Sequence, residues 1–366
     1  MSGPYALLTP ARAALRTLPL RLPSVQPCVF IRENDEVTSD SSGSPGSPGP
    51  PSSSDSSGSP GSPAPLAASG AGATSGAGAT SGPAGSSGSS GSPLPARPRL
   101  IATDLDGTLL RDDKSVSDRT IAALAAAEDA GIEVFFVTGR PARWMDVVSD
   151  HVHGHGLAIC ANGAAVVDLH AGGELVRVRP LPRPTALDAV TTLREAAPGT
   201  AFAVELTTGI HYEPGYPPFH KDPGATVAAA EKLLGGTDED AAAPLVKLLA
   251  HHSTLTPDGF LALARAAMGD RVSITRSSPT ALLEVSGPGV SKASTLALCC
   301  AERGISADEV VAFGDMPNDL EMLTWAGTSY AMGNAHPDVL AAASGRTAEN
   351  NEDGVAMVIE KILARL

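Results

Sequence analysis

Four short apolar segments of this chain each end in a small group of polar residues, and this recurrence limits the folds open to it. The segments span 100–103, 133–137, 157–161 and 310–313. Helical spacing of apolar residues is found at 117–130, 141–150 and 292–303. Alternating strands and helices favour a parallel sheet, whose strands share one carboxyl edge. The sequence therefore predicts a doubly wound, Rossmann-like α/β core with a composite site at that edge.

The first polar tip carries two carboxylates, Asp104 and Asp106, followed by Gly107. In an extended chain residues i and i+2 point to the same side, so both carboxylates should face the region beyond the strand. Glycine permits the sharp turn that follows. An acidic surface turn is the alternative interpretation of this string when it is taken alone.

Polar residues also mark the other tips. The second strand ends at Thr138-Gly139-Arg140, the third at Asn162-Gly163 and the fourth at Gly314-Asp315-Met316-Pro317-Asn318-Asp319, while Lys292 opens a helix. Each feature alone is most often a turn or a solvated helix start. Their occurrence together, all at strand or helix ends, favours a shared site.

The segment 180–285 has an alternating pattern of its own. We predict helices at 185–196, 225–234 and 259–268, and strands at 201–205, 210–213 and 245–250. A segment of this length with its own pattern exceeds a loop and indicates an inserted α+β cap domain. The predicted core is then 98–179 together with 286–366.

Residues 1–97 have a different composition. They are rich in Ser, Gly, Pro and Ala and contain short repeats, which predicts a disordered N-terminal region. The whole formal charge of −14 falls in 98–366, which disfavours a nucleic-acid partner. No membrane span and no Cys-x-x-Cys pair is present, and a reduced cytoplasmic setting is expected.

The motifs resemble those of a known superfamily in order and spacing. They are Asp104-Leu105-Asp106-Gly107-Thr108, Thr138-Gly139-Arg140, Lys292 and Gly314-Asp315-Met316-Pro317-Asn318-Asp319. This set resembles the four motifs of the haloacid-dehalogenase superfamily, and most closely its Cof-like phosphatases with a large α/β cap. The strings Met332-Gly333-Asn334-Ala335 and Asn351-Glu352-Asp353-Gly354 are similar to that subfamily as well.

The residues themselves suit phosphoryl transfer. Asp104, with an ordinary pKa near 4, is ionised at neutral pH and can attack phosphorus without a partner base. Asp106 can act as general acid and base if its surroundings keep it partly protonated. Thr138 can donate to phosphoryl oxygens, and Lys292 supplies a fixed positive charge. Candidates for substrate contact, with a structural role as the alternative, are Gly139, Arg140, Asn162 and Asn318.

Four converging carboxylates predict a cation, and oxygen ligands favour Mg²⁺. The resemblance implies that the metal contacts the Asp104 carboxylate, the Asp106 backbone carbonyl and the Asp315 carboxylate. It leaves Asp319 either as a ligand through water or as a partner that orients Lys292.

The predicted function is an Mg²⁺-dependent phosphatase that acts on small phosphorylated metabolites, sugar phosphates or phosphorylated cofactors, through an aspartyl-phosphate. A sugar-phosphate phosphomutase is the nearest alternative, and a non-catalytic ligand-binding or interaction protein is the alternative of another class. No membrane or obligate protein partner is expected. Within the cap, His211-Tyr212-Glu213 and His220-Lys221-Asp222 are candidates for substrate contact, because the cap should cover the site.

Overall fold

A computed structural model describes residues 97–149, 156–217, 222, 224–235 and 243–366. The predicted disordered region, 1–97, lies outside these ranges except for Arg97, and so do His220 and Lys221. Among the described helices, none has both the length and the apolar composition needed to cross a bilayer.

The first part of the core alternates strands and helices before two further strands. Its elements are β1 (Leu100–Thr103), α1 (Asp118–Asp129), β2 (Glu133–Val137), α2 (Asp146–Ser149), β3 (Leu157–Cys160), β4 (Ala165–Asp168) and β5 (Glu174–Val178). Helix α1 begins as predicted, because the side chain of Ser117 accepts a hydrogen bond from the backbone N–H of Thr120. The helix predicted at 141–150 is instead a 3₁₀ turn, Ala142–Trp144, followed by the short α2.

The described residues of the inserted segment form three helices and five strands. They are α3 (Arg183–Ala196), β6 (Ala201–Leu206), β7 (Ile210–Tyr212), α4 (Ala230–Leu234), β8 (Leu245–His251), α5 (Pro257–Met268), β9 (Ser273–Thr275) and β10 (Leu282–Ser286). The helix predicted from residue 225 begins only at Ala230, because Val227 pairs with Tyr212 in an isolated β-bridge.

The chain then returns to the core. The remaining elements are α6 (Lys292–Glu302), β11 (Val310–Gly314), α7 (Leu320–Trp325), β12 (Thr328–Ala331), α8 (Pro337–Ala342), β13 (Gly345–Arg346) and α9 (Gly354–Leu363). Helix α1 packs against α9, and α6 packs against α7.

The core sheet has the strand order β13-β12-β11-β1-β2-β3-β4-β5. Strands β13 to β3 in this order are parallel, and β4 and β5 are antiparallel additions at one edge. The central strands β1 and β11 are buried at every residue, as their continuous apolar sequences require. Their carboxyl ends therefore lie side by side at the edge where the predicted polar tips meet.

The antiparallel edge was not predicted. Asn162 and Gly163 lie in the tight return from β3 into β4, with φ of 54° and 100°. An Asn-Gly pair between two apolar runs is a strong hairpin signal, because both positions tolerate positive φ. The sequence therefore contained the information for this hairpin.

The cap sheet has the order β7-β6-β8-β10-β9 and is antiparallel. One face carries apolar side chains that pack against the cap helices; examples are Phe202, Val204, Leu248 and Leu283. Alternation along each strand places the intervening side chains on the opposite face. Several of those side chains are charged and contact the core, as described below.

Candidate active site

The carboxyl end of β1 places Asp104 in the interior and Asp106 nearer the surface. Asp104 is 5% exposed, whereas the side chain of Asp106 is 38% exposed. The two carboxylates also contact different cations. Asp104 accepts a hydrogen bond from Lys292, and Asp106 accepts two from Arg140. The predicted nucleophile and the predicted acid and base therefore occupy distinct electrostatic environments.

Lys292 connects two of the predicted site carboxylates. It is the first residue of α6, and the side chain of the preceding Ser291 caps this helix. The Lys292 Nζ donates to Oδ1 of Asp104 and to Oδ1 of Asp319, both at 2.6 Å. Burial disfavours the ammonium, but the charges of the two aspartates outweigh it and raise the pKa of Lys292. Lys292 is therefore positively charged at neutral pH.

Asp104, Asp315 and Asp319 form a buried carboxylate cluster, whose oxygens lie within 4.8 Å of one another. Burial raises the pKa of Asp104 to about 7, against the opposing effect of Lys292, so the ordinary pKa near 4 expected from the sequence is wrong for the metal-free site. Burial and the charges of Asp104 and Asp319 raise the pKa of Asp315 well above its usual range. One lysine thus does not offset the combined effect of burial and of the neighbouring carboxylate charges.

The donor set of this cluster fits a hard divalent cation, because all its donors are carboxylate oxygens close enough to share one ion. Asp319 is the exception among the predicted ligands. Its Oδ1 accepts from Lys292, and its Oδ2 accepts from the backbone N–H groups of Asp315 at 3.1 Å and Met316 at 3.0 Å. The geometry therefore favours Asp319 as the group that orients Lys292, and Asp104 and Asp315 as the carboxylates that would hold the ion.

Gly107 allows Asp315 to approach the turn after β1. Its φ is +77°, and a Cβ at this position would lie 2.3 Å from Oδ2 of Asp315. The neighbouring Thr108 hydroxyl donates to Oδ1 of Asp315 at 2.9 Å, and Asn334 donates its side-chain N–H to the carbonyl of Gly107 at 2.8 Å. The Met-Gly-Asn-Ala string near the C-terminus therefore supports the same turn.

Asp106 is held by two cations. Arg140 donates from Nε and Nη2 at 2.6 and 2.7 Å, and Lys114 donates from Nζ at 2.8 Å. Burial would raise the pKa of Asp106, but the hydrogen bonds and charges of Arg140 and Lys114 outweigh it and lower this pKa to about 2. Asp106 is thus a carboxylate at neutral pH in this arrangement. Its partial protonation, the condition set above for an acid, is not met before substrate binds.

Thr138, Gly139 and Arg140 form one turn after β2. Thr138 is 1% exposed, and its Oγ1 accepts a hydrogen bond from the backbone N–H of Arg140 at 3.0 Å. A hydroxyl that accepts in this way still has its own hydrogen to donate. The predicted contact between Thr138 and a phosphoryl oxygen is therefore compatible with the turn.

The amides of Asn162 and Asn318 bind each other, with Nδ2 of Asn318 donating to Oδ1 of Asn162 at 3.1 Å. The Nδ2 of Asn162 donates to Glu284 of the cap at 2.9 Å. Asn162 is 2% exposed and has a left-handed backbone. In this arrangement its side chain links core and cap, which is the structural alternative considered above.

Sequence reasoning missed a row of charged cap residues that face the core. Glu205, Lys247 and Glu284 lie on the adjacent strands β6, β8 and β10, and each is less than 9% exposed. Glu205 pairs with Arg143 of the core, while Lys247 and Glu284 pair with each other. Each is a single charge inside an otherwise apolar strand, which was the available signal, since buried charges require partners.

Glu213 does not face the site, contrary to our expectation. Its Oε2 accepts from the backbone N–H of Phe202 at 2.9 Å, and its Oε1 accepts from the N–H of Ala230 at 2.8 Å. It also pairs with Arg194 of α3. Both oxygens therefore bind groups of the cap, and Glu213 stabilises the cap interior.

A family model for haloacid dehalogenase-like hydrolases matches residues 101–359, which include both the core and the cap. The chain belongs to this family. The predicted membership and the predicted doubly wound core with an inserted cap are both confirmed.

Characterised members of the haloacid dehalogenase-like family resemble the chain over most of their length. It is 31% identical to the pyridoxal phosphate phosphatase YbhA of Escherichia coli over 71% of this chain and 97% of that protein. It is 30% identical to the 5-amino-6-(5-phospho-D-ribitylamino)uracil phosphatase YcsE of Bacillus subtilis, over 71% and 94% respectively. The solved structure of a haloacid dehalogenase-like hydrolase from B. subtilis is similar with a TM-score of 0.62 and 25% identity, covering 72% of this chain and 99% of that one.

These similarities and the buried acidic site show that the protein is a phosphatase of the haloacid dehalogenase-like family. Hydrolases of this family typically use a divalent metal, and the buried cluster that contains Asp104 and Asp315 offers carboxylate oxygens for one.

Proposed function

We propose that the protein hydrolyses phosphate monoesters of small metabolites, with Mg²⁺ as the metal and Asp104 as the nucleophile. The observation that carries this proposal is the position of Asp104. It is buried, contacts Lys292 at 2.6 Å and shares a cluster with Asp315. Water has little access to such a carboxylate, and a positive charge lies beside the point where the phosphoryl group would bind.

In the first half of the reaction, the Asp104 carboxylate attacks phosphorus and the bond to the substrate alkoxide breaks. Asp106 gives a proton to the departing alkoxide, so it must have taken up a proton after the substrate phosphate enters. A phosphate dianion competes with Asp106 for Arg140 and Lys114, and this competition supports a higher pKa for Asp106 in the complex.

In the second half, water attacks phosphorus of the aspartyl-phosphate and the bond to Asp104 breaks. Asp106 takes the proton of this water, which restores its acid form for the next turnover. Lys292 and the Thr138 hydroxyl stabilise the charge on the phosphoryl oxygens in both halves. When bound, the metal would add positive charge there, held by Asp104 and Asp315.

The relatives and the cap both support this substrate class. The names of YbhA and YcsE specify phosphorylated small molecules as their substrates. The cap contacts the Thr138–Arg140 turn directly, because Nζ of Lys247 lies 2.9 Å from the carbonyl of Gly139. A site covered in this way suits a small metabolite, such as a sugar phosphate or a phosphorylated cofactor.

A panel of phosphate monoesters tests the proposal. It should include pyridoxal phosphate, 5-amino-6-(5-phospho-D-ribitylamino)uracil and several sugar phosphates, each with Mg²⁺ and with excess chelator. We expect free phosphate from at least one ester, abolished by chelator and by Asp104→Asn. Release that persists in chelator would contradict the role of the metal. Conversion of a sugar phosphate to an isomer without free phosphate would favour a phosphomutase instead.

A further inference from the structure

The Thr138–Arg140 turn is held from two sides, by the core and by the cap. The carbonyl of Thr138 accepts from the backbone N–H of Asn162 at 3.0 Å, and the carbonyl of Arg140 accepts from that of Ala161 at 2.8 Å. Between them, the carbonyl of Gly139 accepts from Nζ of Lys247 at 2.9 Å. The core therefore fixes the two ends of the turn, and the cap fixes its middle.

Glu284 extends the same contact to the next strand tip. Its Oε1 accepts from Lys247 at 2.7 Å, and its Oε2 accepts from the side-chain amide of Asn162 at 2.9 Å. Asn162 also holds the Thr138 carbonyl through its backbone N–H. The ion pair of Lys247 and Glu284 thus binds Gly139, in the middle of the turn, and Asn162, which holds one end of it.

The return after β3 is left-handed at Ala161, with φ 49°, and at Asn162, with φ 54°. For alanine this conformation is strained, and surrounding contacts maintain it. Oδ1 of Asn162 accepts from Asn318, which precedes the Lys292 partner Asp319. The contacts therefore continue from the cap to the carboxylate cluster.

Burying the ion pair of Lys247 and Glu284 costs desolvation free energy, which is not needed if the pair serves only to pack the cap against the core. Lys247 is 4% exposed and Glu284 is 6% exposed. Apolar side chains of similar size often pack as stably as a buried ion pair. What charges add is direction, since the Lys247 ammonium and the Glu284 carboxylate bind the Gly139 carbonyl and the Asn162 amide at defined positions.

We propose that Lys247 and Glu284 are positioning residues, which set the phosphate-binding turn at Thr138 when the cap closes on the core. The inference rests on the proposed function, because the turn matters only if Thr138 and Arg140 serve a phosphate. If the inference holds, closure of the cap contributes to binding of the phosphate group as well as to selection of the leaving group. The cap then affects the binding of every ligand with a phosphate group, including inorganic phosphate, which carries no organic leaving group.

Three variants of the full-length protein test this: Lys247→Met, Glu284→Met and the double variant. Methionine has a similar length and no charge. Each single variant leaves one buried charge unpaired and should lose thermal stability. The double variant leaves neither charge of the pair behind and keeps the net charge of the protein. Its phosphate affinity therefore decides the test. The readouts are the Kd of inorganic phosphate with Mg²⁺, by calorimetry well below each Tm, and kcat/KM across the ester panel.

We expect the double variant to melt at a higher temperature than either single variant but to bind inorganic phosphate at least about tenfold more weakly, as loss of directed hydrogen bonds to the turn implies. Its kcat/KM should fall by a similar factor for every ester. Glu213→Gln is the matched control, since Glu213 is also a buried cap glutamate in an ion pair, and its partners in the described part of the chain all belong to the cap. It should lower the Tm and leave the phosphate Kd within about twofold.

The inference is overturned if the double variant binds inorganic phosphate as tightly as the wild type. It is also overturned if kcat/KM falls for some esters and not for others, since Lys247 and Glu284 would then contact the leaving group. If the wild type releases phosphate from no ester, the proposed function fails. The phosphate Kd then still reports separately whether the cap sets the turn.

Discussion

The carboxylate cluster should make the stability of the metal-free protein depend on pH in an unusual direction. The pKa of Asp104 is raised from 3.8 to about 7, so the folded state binds this proton more tightly than the unfolded state. The resulting stabilisation is fully present below pH 4 and is lost as the pH rises through 7. The raised pKa of Asp315 acts in the same direction.

The size of the effect follows from the shift of Asp104. A change from 3.8 to about 7 corresponds to roughly 4 kcal/mol in all, of which about 3 kcal/mol lies between pH 5 and 8.5. For a folded region of this size, that loss lowers the Tm by about 5–10 °C. The lowered pKa of Asp106 acts below pH 4 and does not enter this window.

Thermal scans at pH 5 and 8.5, with and without Mg²⁺, measure this prediction. We expect Mg²⁺ to raise the Tm much more at pH 8.5, where the ion replaces repulsion and meets no competing protons. Asp315→Asn should flatten the pH dependence and weaken the response to Mg²⁺, and comparison with it removes the contribution of other titrating groups. An equal Mg²⁺ response at both pH values, or an Asn variant indistinguishable from wild type, would refute the reasoning.

Three further predictions concern single features of the chain. Gly107→Ala should weaken Mg²⁺ binding at least about tenfold, because the new Cβ would meet the carboxylate of Asp315. Gly131→Ala is the control, since Gly131 has a similar φ of +78° but open space around it, and this variant should only lower the Tm. Equal metal affinity in the two variants would contradict this prediction. Arg140→Met should raise the pKa of Asp106 and move the alkaline limb of the kcat/KM profile, where the acid loses its proton, to higher pH, and an unmoved limb would show that another group titrates there. A chain that begins at Pro95 should keep the Tm and kcat of the full chain, since the preceding composition cannot form a core; a large fall in either would show that residues 1–94 contribute.

Much of the core could be predicted from local signals. The strands around Asp104 and Thr138 are short apolar runs with polar ends, and α6 begins at Lys292 as its cap residue indicates. Parallel topology then brings these tips to one edge. The paired contacts of Lys292 with Asp104 and Asp319 follow from that convergence.

The contacts that depend on the arrangement of distant segments could not be predicted. The residues next to Asp106 do not show that Arg140 and Lys114 hold it as a carboxylate, because Arg140 comes from the loop after β2 and Lys114 from further along the loop between β1 and α1. Likewise, Lys247 lies in a cap strand that was predicted and Glu284 in one, β10, that was not, and for both the side of the sheet that faces the core depends on how the cap packs.

The central claim is that Asp104 attacks phosphorus, and the turnover of Asp104→Asn tests it most directly. The measurement is phosphate release from an ester that the wild type hydrolyses, at saturating Mg²⁺, with circular dichroism to show an unchanged fold. We expect less than about one hundredth of the wild-type kcat, since loss of a nucleophile usually costs far more than that. A folded Asn variant that keeps a larger fraction would contradict the account.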